Sequence, residues 1–211
     1  MIDAIILAAG QGARMKSNKA KVLHQLAGKS LLQHVVDAIN PLSASINIVI
    51  GNDAELVKNS INSDSINWVV QKKQLGTGHA VQQVKTCIND KSTCIILYGD
   101  VPLISTNTIK SLIAQSQLTG FSLLSVILDD PSGYGRIVRD KNELIQAIIE
   151  HKDADDDKQK INEINTGIIC INEGVLRGHL KLIKNKNRQK EYYLTDLVSL
   201  LSKNNHEIIS H

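Results

Sequence analysis

Aromatic residues are scarce in this chain: 3% of 211 positions, with one tryptophan and one phenylalanine. Binding of single strands or RNA loops by base stacking needs aromatic platforms, so that class of recognition is disfavoured. A dominant charge is missing too. The 24 basic and 21 acidic side chains leave a formal net charge of +3, too even for a dedicated nucleic-acid binder, though a local basic patch is compatible with it. No apolar run approaches the ~20 residues of a membrane span. Residues 1–10 lack a basic flank and carry only a short apolar run, which reads as a first strand and not as a signal peptide. Cysteine is rare as well. Cys87, Cys94 and Cys170 form no C-x-x-C and no metal spacing, which suits reduced, buried thiols in a cytoplasmic protein.

Several catalytic signatures are absent. The seven histidines make no H-x-x-x-H pair, and no G-x-S-x-G elbow exists to anchor a hydrolase triad. Asp153, Asp155 and Asp157 start like a calcium loop, but Lys158 replaces its glycine and Ile164 its closing glutamate; a solvated acidic turn is the expectation. The dinucleotide fingerprint fails at Met15, where its third glycine belongs. Gly28-Lys29-Ser30 ends like a P-loop, yet Leu23 stands at the position of the first glycine.

What is present is ordinary globular composition, 42% hydrophobic and 21% charged, in a length that suits one domain. Short β-rich runs alternate with helical periodicity. Strands are expected at 5–9, 46–50, 68–70, 94–98, 123–128, 167–171 and 207–209. Helices are expected at 31–39 (capped by Ser30), 53–61, 77–88, 106–118, 174–183 and 195–201. The pattern implies an α/β fold: a mostly parallel central sheet, helices on both faces, and an inserted hairpin region near 129–165. Ligands of such sheets sit beyond the carboxyl ends of the strands.

The residues after each strand are therefore informative. After the first comes Leu7-Ala8-Ala9-Gly10-Gln11-Gly12-Ala13-Arg14-Met15. Small residues let the backbone approach a ligand, and successive N–H groups can cradle an anion. Arg14, Lys16, Lys19 and Lys21 follow with no acid among them, so the turn suits a triphosphate. After the third strand, Gln71 and Gln74 suit a base edge, Gly76 and Gly78 keep the backbone bare, and Thr77 also reads as a helix N-cap. After the fourth comes Tyr98-Gly99-Asp100-Val101-Pro102. Asp100 would hold a hard divalent ion such as Mg²⁺ together with ligand oxygens, or would cap the helix beyond Pro102. Gly135, Glu150, Asn165 and Thr166 border later strands, where polar groups over a glycine turn suit sugar hydroxyls; each alone also reads as a turn residue.

The first turn with Lys21-Val22-Leu23 resembles the signature of the sugar nucleotidyltransferases. Gln74–Ala80, Tyr98–Leu103, Gly133–Ile137, Glu150–Ala154, Glu163–Gly167 and Glu191–Asp196, in that order, resemble more narrowly the uridylyltransferase domain of the bifunctional bacterial enzymes that make UDP-N-acetylglucosamine. The resemblance runs from Ile2 to about residue 209. It implies a Rossmann-like three-layer nucleotidyltransferase fold over 1–211, and a reaction: UTP and N-acetylglucosamine 1-phosphate give UDP-N-acetylglucosamine and pyrophosphate. It also implies roles. Leu7, Ala8, Ala9 and Gly10 line the nucleotide. Gln71, Gln74, Gly76 and Thr77 hold uracil and ribose. Arg14 and Lys21 contact phosphates. Tyr98, Gly99 and Asp100 lie under the reacting centre, with Asp100 as ligand of Mg²⁺. Gly135, Glu150, Asn165 and Thr166 hold the N-acetyl sugar. Nucleic acid and membrane are not expected partners.

Two departures accompany the resemblance. Ala20 stands where the family usually has proline. The family's second metal-ligand asparagine, its connecting helix and the trimeric β-helix acetyltransferase are expected beyond residue 211, so the expectation for 1–211 is a uridylyltransferase domain cut short, with no trimer implied. Two rival readings stand: a nucleotidyltransferase for another NTP or sugar phosphate, and a nucleotide-sugar binding module without turnover.

Overall fold

The computed structural model describes residues 1–10, 19–42, 45–51, 53–63 and 65–211. Strand β1 (Ile2–Ala8) is followed by a 3-10 turn (Lys21–Leu23), a small hairpin of β2 (Gln25–Leu26) and β3 (Lys29–Ser30), and helix α1 (Leu31–Ile39). Next come β4 (Ser45–Ile50), α2 (Ala54–Asn59), β5 (Ile66–Val70), α3 (Thr77–Val84), β6 (Thr93–Tyr98), α4 (Thr106–Thr119) and β7 (Phe121–Ile127). The remainder is β8 (Arg136–Arg139), β9 (Ile145–Ile149), α5 (Asp156–Gln159), β10 (Glu163–Asn172), α6 (Glu173–Leu180), α7 (Asp196–Lys203) and β11 (Ile209–Ser210).

Among the described residues, nine strands join in one sheet along the path β11-β7-β10-β6-β1-β4-β5, with β8 and β9 attached to β10 as the inserted hairpin. The half β6-β1-β4-β5 is parallel, as the strand–helix alternation predicts. On the other side β10 runs antiparallel to both β6 and β7. Side chains alternate across the sheet, so β1 serves two cores. Ile5 and Leu7 pack with Ala80, Val81 and Val84 of α3 and with Leu197, Val198 and Leu201 of α7. Ala4, Ile6 and Ala8 pack on the opposite face with Leu32, Val35 and Ile39 of α1 and with Ile109 and Leu112 of α4. Helix α1 begins as expected, with the Ser30 hydroxyl accepting from the Gln33 N–H at 3.2 Å.

Several expectations need correction. Helix α3 ends at Val84, not Ile88, because the chain tightens there with Cys87 N–H on the Val84 carbonyl; Ile88 is still buried. Strand β10 starts at Glu163, four residues before the expected Gly167. Its polar start disguised it. Glu163 is accommodated in the sheet because Arg139 donates two bonds to it and Ser125 a third. The acidic turn is not merely solvated: Asp155 caps α5, while Asp153 accepts from Arg188 N–H and from the Tyr193 hydroxyl. The cysteines are free thiols. Cys94 and Cys170 are buried and Cys87 is half-buried.

Candidate active site

The carboxyl ends of β1, β4, β5 and β6 meet along one edge of the parallel half. Leu7 lies opposite Tyr98 and Ala8 opposite Ile50. Gly99 N–H donates to the Leu7 carbonyl at 3.0 Å, and Gln71 N–H to the Ile50 carbonyl at 2.8 Å. Ala9, Gly51, Gln71 and Gly99 therefore follow four neighbouring strands. The approach is close: a Cβ on Gly51 would stand 2.8 Å from the Ala9 carbonyl oxygen and 2.9 Å from Gln74 Nε2. Gly51 escaped the sequence reading, although a glycine directly after a buried strand was the available signal.

Lys21 and Asp100 meet at this edge. Lys21 Nζ is 2.6 Å from Asp100 Oδ2. The lysine leads the 3-10 turn, whose Val22 and Leu23 are buried beside α1, and a Cβ on Gly99 would touch Val22 and Leu32 at 3.1 and 3.0 Å. Lysine and carboxylate are thus held by parts packed on one another. Asp100 does not cap the following helix; Ser105 caps α4. Arg14, like the rest of residues 11–18, lies outside the described residues.

The turn after β5 is built from its own polar groups. Gln71 is 3% exposed; its Nε2 donates to the Gly76 carbonyl at 3.2 Å and lies 2.9 Å from His79 Nδ1. Gln74 Nε2 donates to the Gln71 carbonyl at 3.2 Å. Segment 191–195 closes over this turn. Tyr192 N–H donates to the Leu75 carbonyl at 2.8 Å, and its own carbonyl accepts from Gly78 N–H at 2.7 Å. Gly76 adopts φ +106°, and a Cβ there would stand 2.6 Å from the Tyr192 carbonyl oxygen, so glycine is required twice over. Thr77 is not the N-cap that the sequence suggested. Gly76 precedes α3, and the Thr77 hydroxyl accepts from Leu194 N–H at 3.0 Å.

Segment 191–195 also reaches the second group of candidate residues. The Thr195 hydroxyl donates to Glu150 Oε1 at 3.0 Å. Glu150 follows β9 and faces Gly135, where a Cβ would stand 3.6 Å from its carboxyl. The Gly135 carbonyl accepts Asn165 N–H at 2.9 Å. The side chains of Asn165 and Thr166 build the irregular stretch of β10: Asn165 Oδ1 accepts from Gly167 N–H at 3.0 Å, and Thr166 Oγ1 donates to the Leu124 carbonyl at 2.7 Å. In that stretch Gly167 has φ +87°, and a Cβ on it would collide with the Tyr98 ring, so the close approach requires glycine. Tyr98 lies between the two groups: it ends β6 opposite Leu7, and its ring meets Gly167. Leu7 turns its side chain into the core and offers the edge only its backbone.

The Glu150 side is acidic. Burial raises the Glu150 pKa; the Thr195 bond opposes this, and Asp153 and Glu191 add to it. Burial, then repulsion from Glu150 and Asp153, lifts Asp196 to about 6. Burial also pushes Tyr193 up to about 12. Among the described residues no three His, Cys, Asp or Glu side chains converge into a metal cage. A lone carboxylate such as Asp100 fits a hard ion that takes its other ligands from phosphate oxygens and water, as Mg²⁺ does. No helix among the described residues is long and apolar enough to cross a membrane.

The MobA-like NTP transferase domain matches residues 4–158. The chain is 49% identical over 219 residues to the bifunctional protein GlmU of Vesicomyosocius okutanii subsp. Calyptogena okutanii, covering 99% of this chain and 49% of that protein. It is 48% identical over 200 residues to the bifunctional protein GlmU of Marinobacter nauticus, covering 94% and 44%. The chain spans about half the length of the curated relatives it matches. In fold it resembles a UDP-glucose pyrophosphorylase solved with UDP-glucose, at a TM-score of 0.79 and 20% identity over 99% of this chain and 90% of that one. A domain match over most of its length, on a sheet whose strand ends carry the expected lysine, carboxylate and glycine turns, makes this chain a member of the MobA-like NTP transferase family.

Proposed function

We propose that the chain transfers a uridylyl group, making UDP-N-acetylglucosamine and pyrophosphate from UTP and N-acetylglucosamine 1-phosphate in the cytoplasm. The observation that carries this reading is the Lys21–Asp100 pair at the strand ends, 2.6 Å apart and beside the bare turns of Ala9, Gly10 and Gly99. The similarity to proteins named bifunctional GlmU favours this substrate pair over other NTPs and sugar phosphates.

In this reading Gln74, Gly76 and Thr77 receive the uridine, with Gln71 bracing the turn from beneath. Backbone amides near Gly10, together with Lys21 and Arg14, receive the phosphates. Gly135, Glu150, Asn165 and Thr166 receive the N-acetyl sugar. The attacking sugar-phosphate oxygen is already anionic, so no general base is needed. It bonds to the α-phosphorus while the α–β bridging bond breaks, and pyrophosphate leaves with the electron pair. The protein's task is positioning two polyanions and neutralising their charge. Asp100 is the residue that would hold a divalent ion, most simply Mg²⁺, which when bound supplies part of that neutralisation. The test is pyrophosphate release with UTP, Mg²⁺ and N-acetylglucosamine 1-phosphate, set against the other NTPs and other sugar 1-phosphates. Equal release with CTP or with glucose 1-phosphate would refute the substrate assignment. Tight binding of UDP-N-acetylglucosamine with no release would refute turnover.

A further inference from the structure

Arg136, at the head of β8, is 1% exposed and the bulkiest of the fully buried side chains. None of the ion pairs among the described residues includes it. Asp130, itself exposed, feels its charge only as the smallest contribution, behind bonds from Ser132. The guanidinium meets carbonyl oxygens instead. Nη1 donates to Tyr134 O, Nη2 to Gln159 O at the end of α5 at 3.4 Å, and Nε has no partner among the described residues. Burying a charge on carbonyls alone is expensive, and an apolar side chain would fill the same space without that penalty.

What the charge accomplishes follows from the strand geometry. Successive residues face opposite sides, so Arg136 lies on the α5 side while Gly135 and Ile137 face Ile148 and Glu150. The carbonyl that Arg136 grips belongs to the peptide unit whose N–H is that of Gly135. A trans peptide is planar, with C=O and N–H pointing in opposite directions. Holding Tyr134 O from behind therefore aims the Gly135 N–H to the front, toward the side where Glu150 lies. The Gly135 carbonyl is already committed to Asn165 N–H.

We infer that Arg136 is a positioning residue for the sugar phosphate: it sets the Gly135 amide from behind the hairpin without touching ligand. This rests on the reading that Gly135, Glu150 and Asn165 receive the sugar. Arg136 uses two nitrogens of a rigid fork on the two carbonyls, whereas a lysine would have to serve both from a single nitrogen on a flexible stem, so the planar fork matters as well as the charge. The test compares wild type, Arg136→Lys and Arg136→Met by calorimetric binding of UTP and of UDP-N-acetylglucosamine, by KM for each substrate, and by thermal melting. In the methionine variant, affinity for UDP-N-acetylglucosamine and KM for N-acetylglucosamine 1-phosphate should worsen about tenfold, the worth of one well-aimed hydrogen bond, while UTP binding stays within about twofold. The lysine variant should fall between, and it carries the test if the methionine variant does not fold. Unchanged sugar-side affinity in the folded variants, or equal losses for UTP and the sugar phosphate, would overturn the inference. A wild-type chain that binds no UDP-N-acetylglucosamine would instead overturn the functional reading on which it rests.

Discussion

Removing Lys21 separates structure from chemistry. Its ammonium lies 2.6 Å from Asp100, with the two side chains 42% and 23% exposed. In a water-like dielectric that distance corresponds to about 1.6 kcal/mol of Coulomb attraction. Ordering two half-exposed side chains offsets much of it, so the pair contributes about 0–1 kcal/mol to folding. Lys21→Met should thus lower the melting temperature by no more than about 4 °C in a chain of this size. The transition state is another matter. In the proposed reaction the lysine would face charge developing on phosphate oxygens, where one lost contact of this kind raises the barrier by about 3–4 kcal/mol. Turnover should fall about a hundredfold to a thousandfold, read as pyrophosphate release at saturating UTP and Mg²⁺. Near-wild-type turnover would refute the assignment of Lys21 to the phosphates. A melting temperature lowered by 10 °C would refute the claim that its structural role is minor.

Other expectations follow from the same geometry. Ala20 has φ −52° and ψ 137°, values proline adopts readily, so Ala20→Pro should stabilise the chain by about 0.4–1 kcal/mol with turnover retained; a lower midpoint in urea would contradict this. Gly76→Ala cannot keep φ +106° beside the Tyr192 carbonyl, so segment 191–195 should detach, with loss of thermal stability and a higher KM for UTP. Asp196 titrates near 6 in the folded chain against 3.8 unfolded. The folded state therefore holds that proton more tightly, and stability should decline as pH rises from about 4 through 6. Asp196→Asn should flatten that part of the pH–stability profile in urea unfolding, and an unaltered slope would count against the burial argument.

The fold was legible where period and burial agree. Ile5, Leu7 and the Leu32, Val35 and Ile39 stripe have one reading each, and the parallel half follows from them. The antiparallel side was harder, because the start of β10 is polar and its partners, Arg139 and Ser125, lie 24 and 38 residues away. No local window contains them. The candidate site divided in the same way. Glycines and charges just past strand ends marked Gly99, Asp100 and Lys21. Thr77 was read as a helix cap because its true partner, Leu194 N–H, is 117 residues distant. Thr195 drew no assigned role for the same reason: its value lies in the carboxylate of Glu150, 45 positions earlier. Arg136, within the Gly133–Ile137 motif, drew no role of its own, since sequence carries no sign that a charge will be enclosed by carbonyls.

The contact between the turn at 75–78 and segment 191–195 has a consequence for how the molecule comes into being. During translation the first four parallel strands are complete once Tyr98 has left the ribosome. The turn at 75–78 still waits for Tyr192 and Leu194, nearly a hundred residues later. In a nascent chain halted at residue 180, Lys21 and Asp100 would both be present, yet Ile5 and Leu7 would lack their α7 partners, and Leu75 and Gly78 would face water instead of Tyr192. The turn at 75–78 thus reaches its folded form only after the 117-residue span from Thr77 to Leu194 has been made, and a grip on nucleotide there would follow that event and not precede it.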